Sequence, residues 1–243
     1  MSAGSVVAAR SANQRARGGA EPTSALQSSG YIEARDLFVR PIDSRIARSL
    51  CEIYHYLHSY PGGAILNFGI FAGHALVGVA VFSVGPYNVH RYFRDANRGQ
   101  VITLARLWLD DRCGRNSESR ILGVTCRLLR RWQNTAKAIV AYSDPVAGHD
   151  GAVYRAAGFL YLGLSGAMQK YRLSDGTIHH SRSLSHRFGT HSLRYLKANG
   201  VPVEAVPQTP KYLYTTFLDW QWRHRLCVPS LAYPKQEEAN GSY

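Results

Sequence analysis

Acidic side chains are scarce: sixteen Asp and Glu stand against twenty-nine Lys and Arg, which gives the 243-residue chain a formal charge of +13. That imbalance sets up a positive field that favours polyanions such as nucleic acid. Cysteine is sparse as well. Cys51, Cys113, Cys126 and Cys227 are far apart and form no CxxC pair, so neither a zinc knuckle nor a disulfide framework is expected, and a reducing cytoplasm is the simplest compartment. Long apolar runs are missing. The longest, Ala75 to Val84, has ten residues, well short of the ~20 that a membrane-crossing helix needs, so no membrane is expected among the partners. Residues 1–28 are small, polar and poor in acids, without the contiguous apolar stretch of a secretory signal; they read as a disordered basic tail.

What is present suffices for one core. With 45% hydrophobic residues, the length between the tails fits a single domain, expected over 29–228, with a second tail over 229–243. Between Pro41 and Tyr60, Ile46, Leu50, Ile53, Tyr54 and Leu57 recur at helical spacing behind Asp43, a plausible N-cap. Two apolar runs, Ala64 to Phe71 and Ala75 to Val84, joined through Ala72, Gly73 and His74, predict a hairpin. Val101 to Leu109 reads as a strand, Ser117 to Trp132 as a helix and Ala136 to Tyr142 as a strand, a strand–helix–strand crossover. Gly151 to Ala157 reads as a short helix ended by Gly158. Phe159 to Leu173 with Thr177 onward reads as a second hairpin turned by Ser174, Asp175 and Gly176, followed by a helix near Ser192 to Ala198 and a strand at Tyr212 to Leu218. This order predicts an α+β fold, helices over a mostly antiparallel mixed sheet with one parallel crossover.

A helix, a hairpin, a strand, a crossover helix, a strand and then Tyr154-Arg-Ala-Ala-Gly158-Phe159 resemble the Gcn5-related N-acetyltransferase fold, in which the tyrosine of a Y-x-x-x-G-F segment often protonates a leaving thiolate. A narrower resemblance runs through Tyr54-His55-Tyr56, Pro61-Gly62-Gly63, Leu104-Ala105-Arg106-Leu107, Ser119, Tyr142-Ser143-Asp144-Pro145 and Gly148-His149-Asp150-Gly151-Ala152-Val153-Tyr154. It continues more thinly through Phe188-Gly189-Thr190 and Pro210-Lys211-Tyr212. These segments are similar to the Mom proteins of Mu-like phages. The resemblance implies an enzyme of a bacterial host cell that converts adenine in DNA to an N6-carbamoylmethyl form and so hides the DNA from restriction endonucleases. Three departures stand out. Ser83-Val84-Gly85-Pro86-Tyr87-Asn88 replaces an Arg-Gly-Ala-Asn stretch, Asp150 replaces a second histidine, and a tryptophan is missing near Leu160.

The adenine amine is a poor nucleophile because its lone pair is delocalised into the ring, so positioning and proton handling define the residues to look for. Asp144, at the end of the strand after the crossover helix, is placed to accept a hydrogen bond or a proton from N6; the alternative is a routine Asp-Pro turn. Tyr154, five residues after His149, is placed to protonate a leaving group or orient a donor, against a reading as a core aromatic. Arg106 sits on a strand, where an unpaired charge is costly, so it should face a phosphate, a pocket or a carboxylate such as Asp144. Ser119 either caps the crossover helix or binds the donor. His55 and His58, spaced for one helical face, form with His149 a set able to bind iron or zinc. Tyr54, Tyr56 and Tyr87 are candidates to stack on a base.

The donor is acetyl-CoA or another activated small molecule. Cys113-Gly114-Arg115-Asn116-Ser117 offers a single glycine where a pyrophosphate loop would need several. Basic residues cluster at Arg127, Arg130 and Arg131, at Arg182 to Arg187, and in Trp220-Gln-Trp-Arg-His-Arg225, a composition suited to DNA phosphates and bases. The main expectation is therefore a DNA adenine-modifying transferase with Asp144, Tyr154, Arg106, His55 and His149 in its site and Ser119, Arg106 and Tyr154 toward the donor. An acyl-CoA-dependent N-acetyltransferase acting on a small amine or a protein, and a non-catalytic DNA-binding module, are the alternatives.

Overall fold

Asp43 begins the architecture by accepting a hydrogen bond from the amide of Arg45 at 2.8 Å, the N-cap interaction that starts a helix. A computed structural model describes residues 30–132, 135–166, 170–206 and 209–234. The tail expected over 1–28, the segment 235–243 and the side chain of Arg182 lie outside the described residues. Ahead of Asp43, Leu37–Pro41 forms an edge strand, β1. The helix α1 spans Ser44–Tyr54 and buries Ala47, Leu50 and Cys51, spaced three and one apart on one face. It ends six residues before Tyr60. His55 takes an extended ψ of 138°, its Nδ1 accepts from the Leu57 amide at 3.1 Å, and His58 turns left-handed with φ 43°. His55 and His58 therefore do not share a helical face, contrary to their spacing.

The expected hairpin is β2 (Ala64–Ala72) and β3 (Ala75–Ser83), paired Ala72 to Ala75 across Gly73 and His74. Gly73, with φ 58°, supplies the left-handed turn. The crossover follows as β4 (Val101–Leu109), α2 (Ser117–Trp132) and β5 (Ala138–Ser143). A short α3 (Ala152–Ala156) leads into β6 (Leu160–Leu164). There the second expected hairpin divides. Ser165 donates its amide to the Lys211 carbonyl at 2.7 Å, which closes off β6, and the chain starts a separate sheet with β7 (Lys170–Leu173) and β8 (Ile178–His180). The turn between these two strands is the expected one: Gly176 is left-handed and Asp175 accepts from the Thr177 amide at 2.9 Å.

The remaining elements are α4 (Ser181–Phe188), α5 (Leu193–Ala198), β9 (Val203–Val206) and β10 (Tyr212–Phe217). The main sheet has seven strands in the order β1-β2-β3-β4-β5-β10-β6. Each neighbouring pair is antiparallel apart from β4 and β5, which is the α+β arrangement that the element order predicts. Ile121, Leu122, Cys126 and Leu129 of α2 pack with Phe68, Phe82, Ile102 and Ile139 of the sheet. A different cluster joins α1 to Val79 and Val81. A third gathers Val101, Ala138 and Phe217 around Val89, Phe93 and Trp222, which come from two 3-10 segments, Val89–Tyr92 and Trp220–Arg225, and the residue after the first. The small sheet, β8-β7-β9, has its own core of Tyr171, Leu173, Leu184, Leu196 and Val203.

The tail expected from residue 229 starts out packed. Leu231 bridges to Tyr161, and the Tyr233 hydroxyl donates to the Phe159 carbonyl. Leu129 is completely buried under the main sheet, and removing its isobutyl group leaves a cavity; Leu129→Ala is expected to cost about 2–5 kcal/mol, read as a lower urea midpoint at unchanged slope.

Candidate active site

The parallel pair β4 and β5 stays in register for four residues, from Val101 with Ala138 to Leu104 with Ala141. Beyond that point the strands part. At the same place β4 carries a bulge: Val81 of β3 faces Arg106 and Phe82 faces Leu104, which leaves Ala105 as the extra residue. A bulge bends its strand and re-aims the side chains that follow. The gap is a cavity of about 370 Å³ lined by β4 from Leu104 to Leu109, by Tyr142 to Asp144, by Gly148 to Tyr154, and by His55 and Tyr56. It lies at the carboxyl ends of two adjacent parallel strands, where open α/β sheets bind ligands.

Arg106, His55, Tyr56 and His149, all singled out from the sequence, meet at this cavity. Arg106 is clamped, donating from Nε to the Ser59 carbonyl at 2.8 Å, from a terminal nitrogen to the Ser59 hydroxyl at 3.1 Å, and to the Ala105 carbonyl at 2.7 Å. It lines the pocket, one of the expected outcomes, and the alternative, an ion pair with Asp144, is not formed. Burial lowers the Arg106 guanidinium from its usual very high pKa, yet an arginine keeps its proton throughout the accessible range. The pKa of His55, 4% exposed, is pushed down to about 4, first by burial and then by the nearby Arg106, His149 and His58. The ring is thus neutral at pH 7, and because its Nδ1 accepts from Leu57, its proton resides on Nε2. It stacks on Tyr56 at 4.6 Å, and Tyr56 meets the edge of His149 at 4.9 Å.

The opposite side is built by the chain leaving β5. Asp144 accepts from the Val146 amide at 3.2 Å and pairs through its other oxygen with Lys211 Nζ at 3.0 Å. Its side chain is only 18% exposed, so both contacts fix its direction. The Ser143 hydroxyl donates to the His149 carbonyl at 2.9 Å, and the Tyr214 hydroxyl to the Asp150 carbonyl at 2.9 Å. Asp150 accepts from the Ala152 amide at 2.9 Å in the turn that leads into α3, whose N-cap position is Gly151. This helix carries Tyr154 against Phe159 at 5.5 Å and Tyr214 at 5.1 Å. Burial, reinforced by Tyr56, raises the Tyr154 hydroxyl far above the usual phenol range, so the group is a proton donor and not a base at neutral pH.

Other expected residues fall elsewhere. Ser119 does not line the cavity; its hydroxyl donates to the Asn116 carbonyl at 3.1 Å in the first turn of α2. Its neighbour Glu118 does line it. Tyr54 stacks on Trp108 at 4.6 Å, whereas Tyr87 lies outside the cavity lining beneath Arg98. Glu118 and Ser59 carry no motif that marks them in the sequence as site residues, and Lys211 and Tyr142 stand in the segments that resemble the Mom family without a role assigned to them. Lys211 is adjacent in sequence to a strand pairing with β5, and only that long-range pairing brings it to Asp144.

The loop from β4 to α2 holds part of its backbone back from a pyrophosphate. Its amides at Arg112, Cys113, Gly114 and Ser117 are already bonded, to Asp110 Oδ1 and to the carbonyls of Asp110, Ile32 and Gly114. A carboxylate, Glu118, follows at the cavity wall. The expected set of His55, His58 and His149 does not assemble as a three-ligand site. Among the described residues no three His, Cys, Asp or Glu side chains come together, and His58 Nδ1 is directed to the Glu52 carbonyl at 3.1 Å.

A mostly antiparallel sheet whose single parallel pair parts over such a cleft defines an acetyltransferase-like α+β fold of the Gcn5-related class. A model of the Mom protein family matches residues 36–235, and the chain belongs to that family. It is 29% identical over 197 residues to a protein named methylcarbamoylase mom from Escherichia phage Mu, a match covering 79% of this chain and 80% of that one. Similar solved structures include a ribosomal-protein-S5-alanine acetyltransferase from Vibrio fischeri, at 15% identity and a TM-score of 0.43 over 77% of this chain and 95% of that one. Arabidopsis thaliana NAA60 in complex with acetyl-CoA aligns at 12% identity and a TM-score of 0.43, over 74% and 98% of the two chains.

Two outcomes follow from this geometry. His55 has a lower pKa in the folded chain than in the unfolded one, so the unfolded state binds its proton first as pH falls. Its contribution to stability is full above about pH 6.5 and declines toward pH 4, by at most roughly 1.4 kcal/mol per pH unit. Urea midpoints measured across that window should fall, and His55→Gln should flatten the decline. Gly151 has φ 79°, and a Cβ there would overlap the Tyr214 ring and hydroxyl. Gly151→Ala should therefore destabilise the fold by about 1–3 kcal/mol, seen in the same denaturation assay.

Proposed function

We propose that this chain is a transferase that modifies adenine in DNA at N6, with a carbamoylmethyl-type product that shields the DNA from restriction endonucleases. The observation that carries this reading is the placement of Asp144 and Tyr154 in the lining of one cleft in a chain of the Mom family. The name of the phage Mu relative, a methylcarbamoylase, supports the group transferred.

In this reading the target base is extruded from the duplex into the cleft, at a cost of a few kcal/mol. Asp144, held by Lys211 and the Val146 amide, accepts a hydrogen bond from the adenine amine and aligns its nitrogen with the electrophilic carbon of the donor. As the carbon–nitrogen bond forms, N6 becomes acidic and Asp144 takes its proton. The bond from that carbon to its leaving group breaks, and Tyr154 supplies the proton that the leaving group needs. The neutral His55 presents an Nε2 donor to the same space, and the fixed charge of Arg106 stabilises negative charge that develops there. The donor is an activated small molecule; no step requires the coenzyme A phosphates.

Nucleosides digested from plasmid DNA and weighed by mass spectrometry test this directly. Cells expressing the chain should yield a deoxyadenosine heavier by one carbamoylmethyl group, and Asp144→Asn and Tyr154→Phe should lower its amount by about 100-fold or more while remaining folded. Unmodified DNA from the soluble chain, in a host where the phage Mu relative does modify it, would contradict the reading.

A further inference from the structure

Two segments that the cleft does not use are joined into one surface on the far side of β10. The Arg94 amide donates to the Arg225 carbonyl at 2.7 Å, the Cys227 amide to the Tyr92 carbonyl at 2.8 Å, and Phe93 bridges to Leu226. Beneath them Phe93 packs against Trp222 at 5.9 Å and Phe217 at 6.3 Å between ring centres. The 3-10 segments Val89–Tyr92 and Trp220–Arg225 are thus anchored in the core, and their outward side chains ride on a rigid base.

The exposed side chains of these segments and of the loop residues flanking the first are basic and aromatic. Arg91, Arg94, Arg98, Arg223 and Arg225 are all exposed, and none of them is ion-paired among the described residues. Of the two acids nearby in sequence, Asp219 is occupied by Lys137 at 3.6 Å and by the Gln221 amide, which leaves Asp95. Arg98 lies over Tyr87 at 4.5 Å and Arg223 over Trp220 at 5.2 Å. These two rings are 60% and 68% exposed. Trp220 meets the core at the ring of Phe217, 6.2 Å away and nearly perpendicular, and leaves most of its own ring outside. Five exposed guanidiniums beside the one unoccupied acid, Asp95, favour an anion lying across them, and planar guanidiniums beside open ring faces match phosphates and bases together.

We propose that this face receives the DNA strand next to the target base, its arginines on backbone phosphates and Trp220 on a base or sugar. The inference rests on the DNA-modifying reading. It also gives that reading a path: Tyr92 of the first segment packs against the same buried cluster as Tyr142, and Tyr142 lines the cleft. The face therefore borders the site through these two tyrosines.

The test uses the full chain without donor, titrated against a fluorescein-labelled DNA duplex over a range of salt. Arg91→Gln combined with Arg223→Gln should weaken binding by at least about 10-fold and reduce the salt slope by roughly 0.9 for each phosphate that is no longer neutralised. Trp220→Ala should weaken binding without altering that slope. Both sets change exposed side chains, and unchanged thermal unfolding would confirm that the fold persists. Arg187→Gln with Arg194→Gln beside the small sheet, the comparison pair, should have the smaller effect. Unchanged affinity and slope in the Arg91/Arg223 variant, a weakening carried by the comparison pair instead, or equally tight binding of polyglutamate to the same face would overturn the proposal. Because binding is read without turnover, loss of affinity in the face variant upholds this surface even where no modified nucleoside is found. Modified DNA with undiminished binding by that variant would overturn the surface and leave the reaction intact.

Discussion

The separation of β4 from β5 after four paired residues is the constraint on which the rest of the molecule depends. A parallel pair that continued would fill the space with backbone hydrogen bonds. Here the bulge at Ala105 turns β4 away, and the Arg106 side chain fastens the diverging strand to Ser59. That fastening has a second effect: it draws the segment after α1 over the opening, so His55 and Tyr56 become its wall. The early end of α1 is thus part of the site and not an irregularity of the helix.

The charges in the cleft are arranged so that neighbouring groups hold different protonation states. Arg106 is a permanent cation, and together with burial it keeps His55 neutral. On the other wall Lys211 meets Asp144, while the buried Tyr154 retains its proton. An acceptor and a donor of protons lining one cleft, with a cation beside them, suit a transfer in which an amine loses a proton and a leaving group gains one. The tight packing of Gly151 against Tyr214 sets the path of the chain between them.

Much of this was legible in the sequence, because most elements follow local patterns. Asp43, the apolar runs of β2 and β3, and the face of α2 through Ile121 and Leu129 predict their elements and the one parallel crossover. What escaped depends on distant partners or on a local side chain that competes with the helix. The helix expected to Tyr60 stops at Tyr54 because His55 caps the Leu57 amide. The hairpin expected from Phe159 splits because Ser165 bonds to Lys211, forty-six residues away. In the site, Asp144, Tyr154, Arg106, His55 and His149 converge as their neighbours suggested, but Arg106 turns to Ser59 and not to Asp144, whose partner comes from the residue before β10. Ser119 is held by the first turn of α2, since a hydroxyl two residues into a helix finds its acceptor locally before it reaches a ligand.

Where the base goes decides the mechanism. Its most direct test is a structure of the chain bound to an oligonucleotide containing one extrudable deoxyadenosine, from which the distance between adenine N6 and the Asp144 carboxylate is read. The base is predicted to occupy the gap between β4 and β5, with N6 within hydrogen-bonding distance of Asp144, about 2.6–3.2 Å, and facing Tyr154. A base held in the duplex, or seated on the small sheet away from Asp144, would contradict this mechanism.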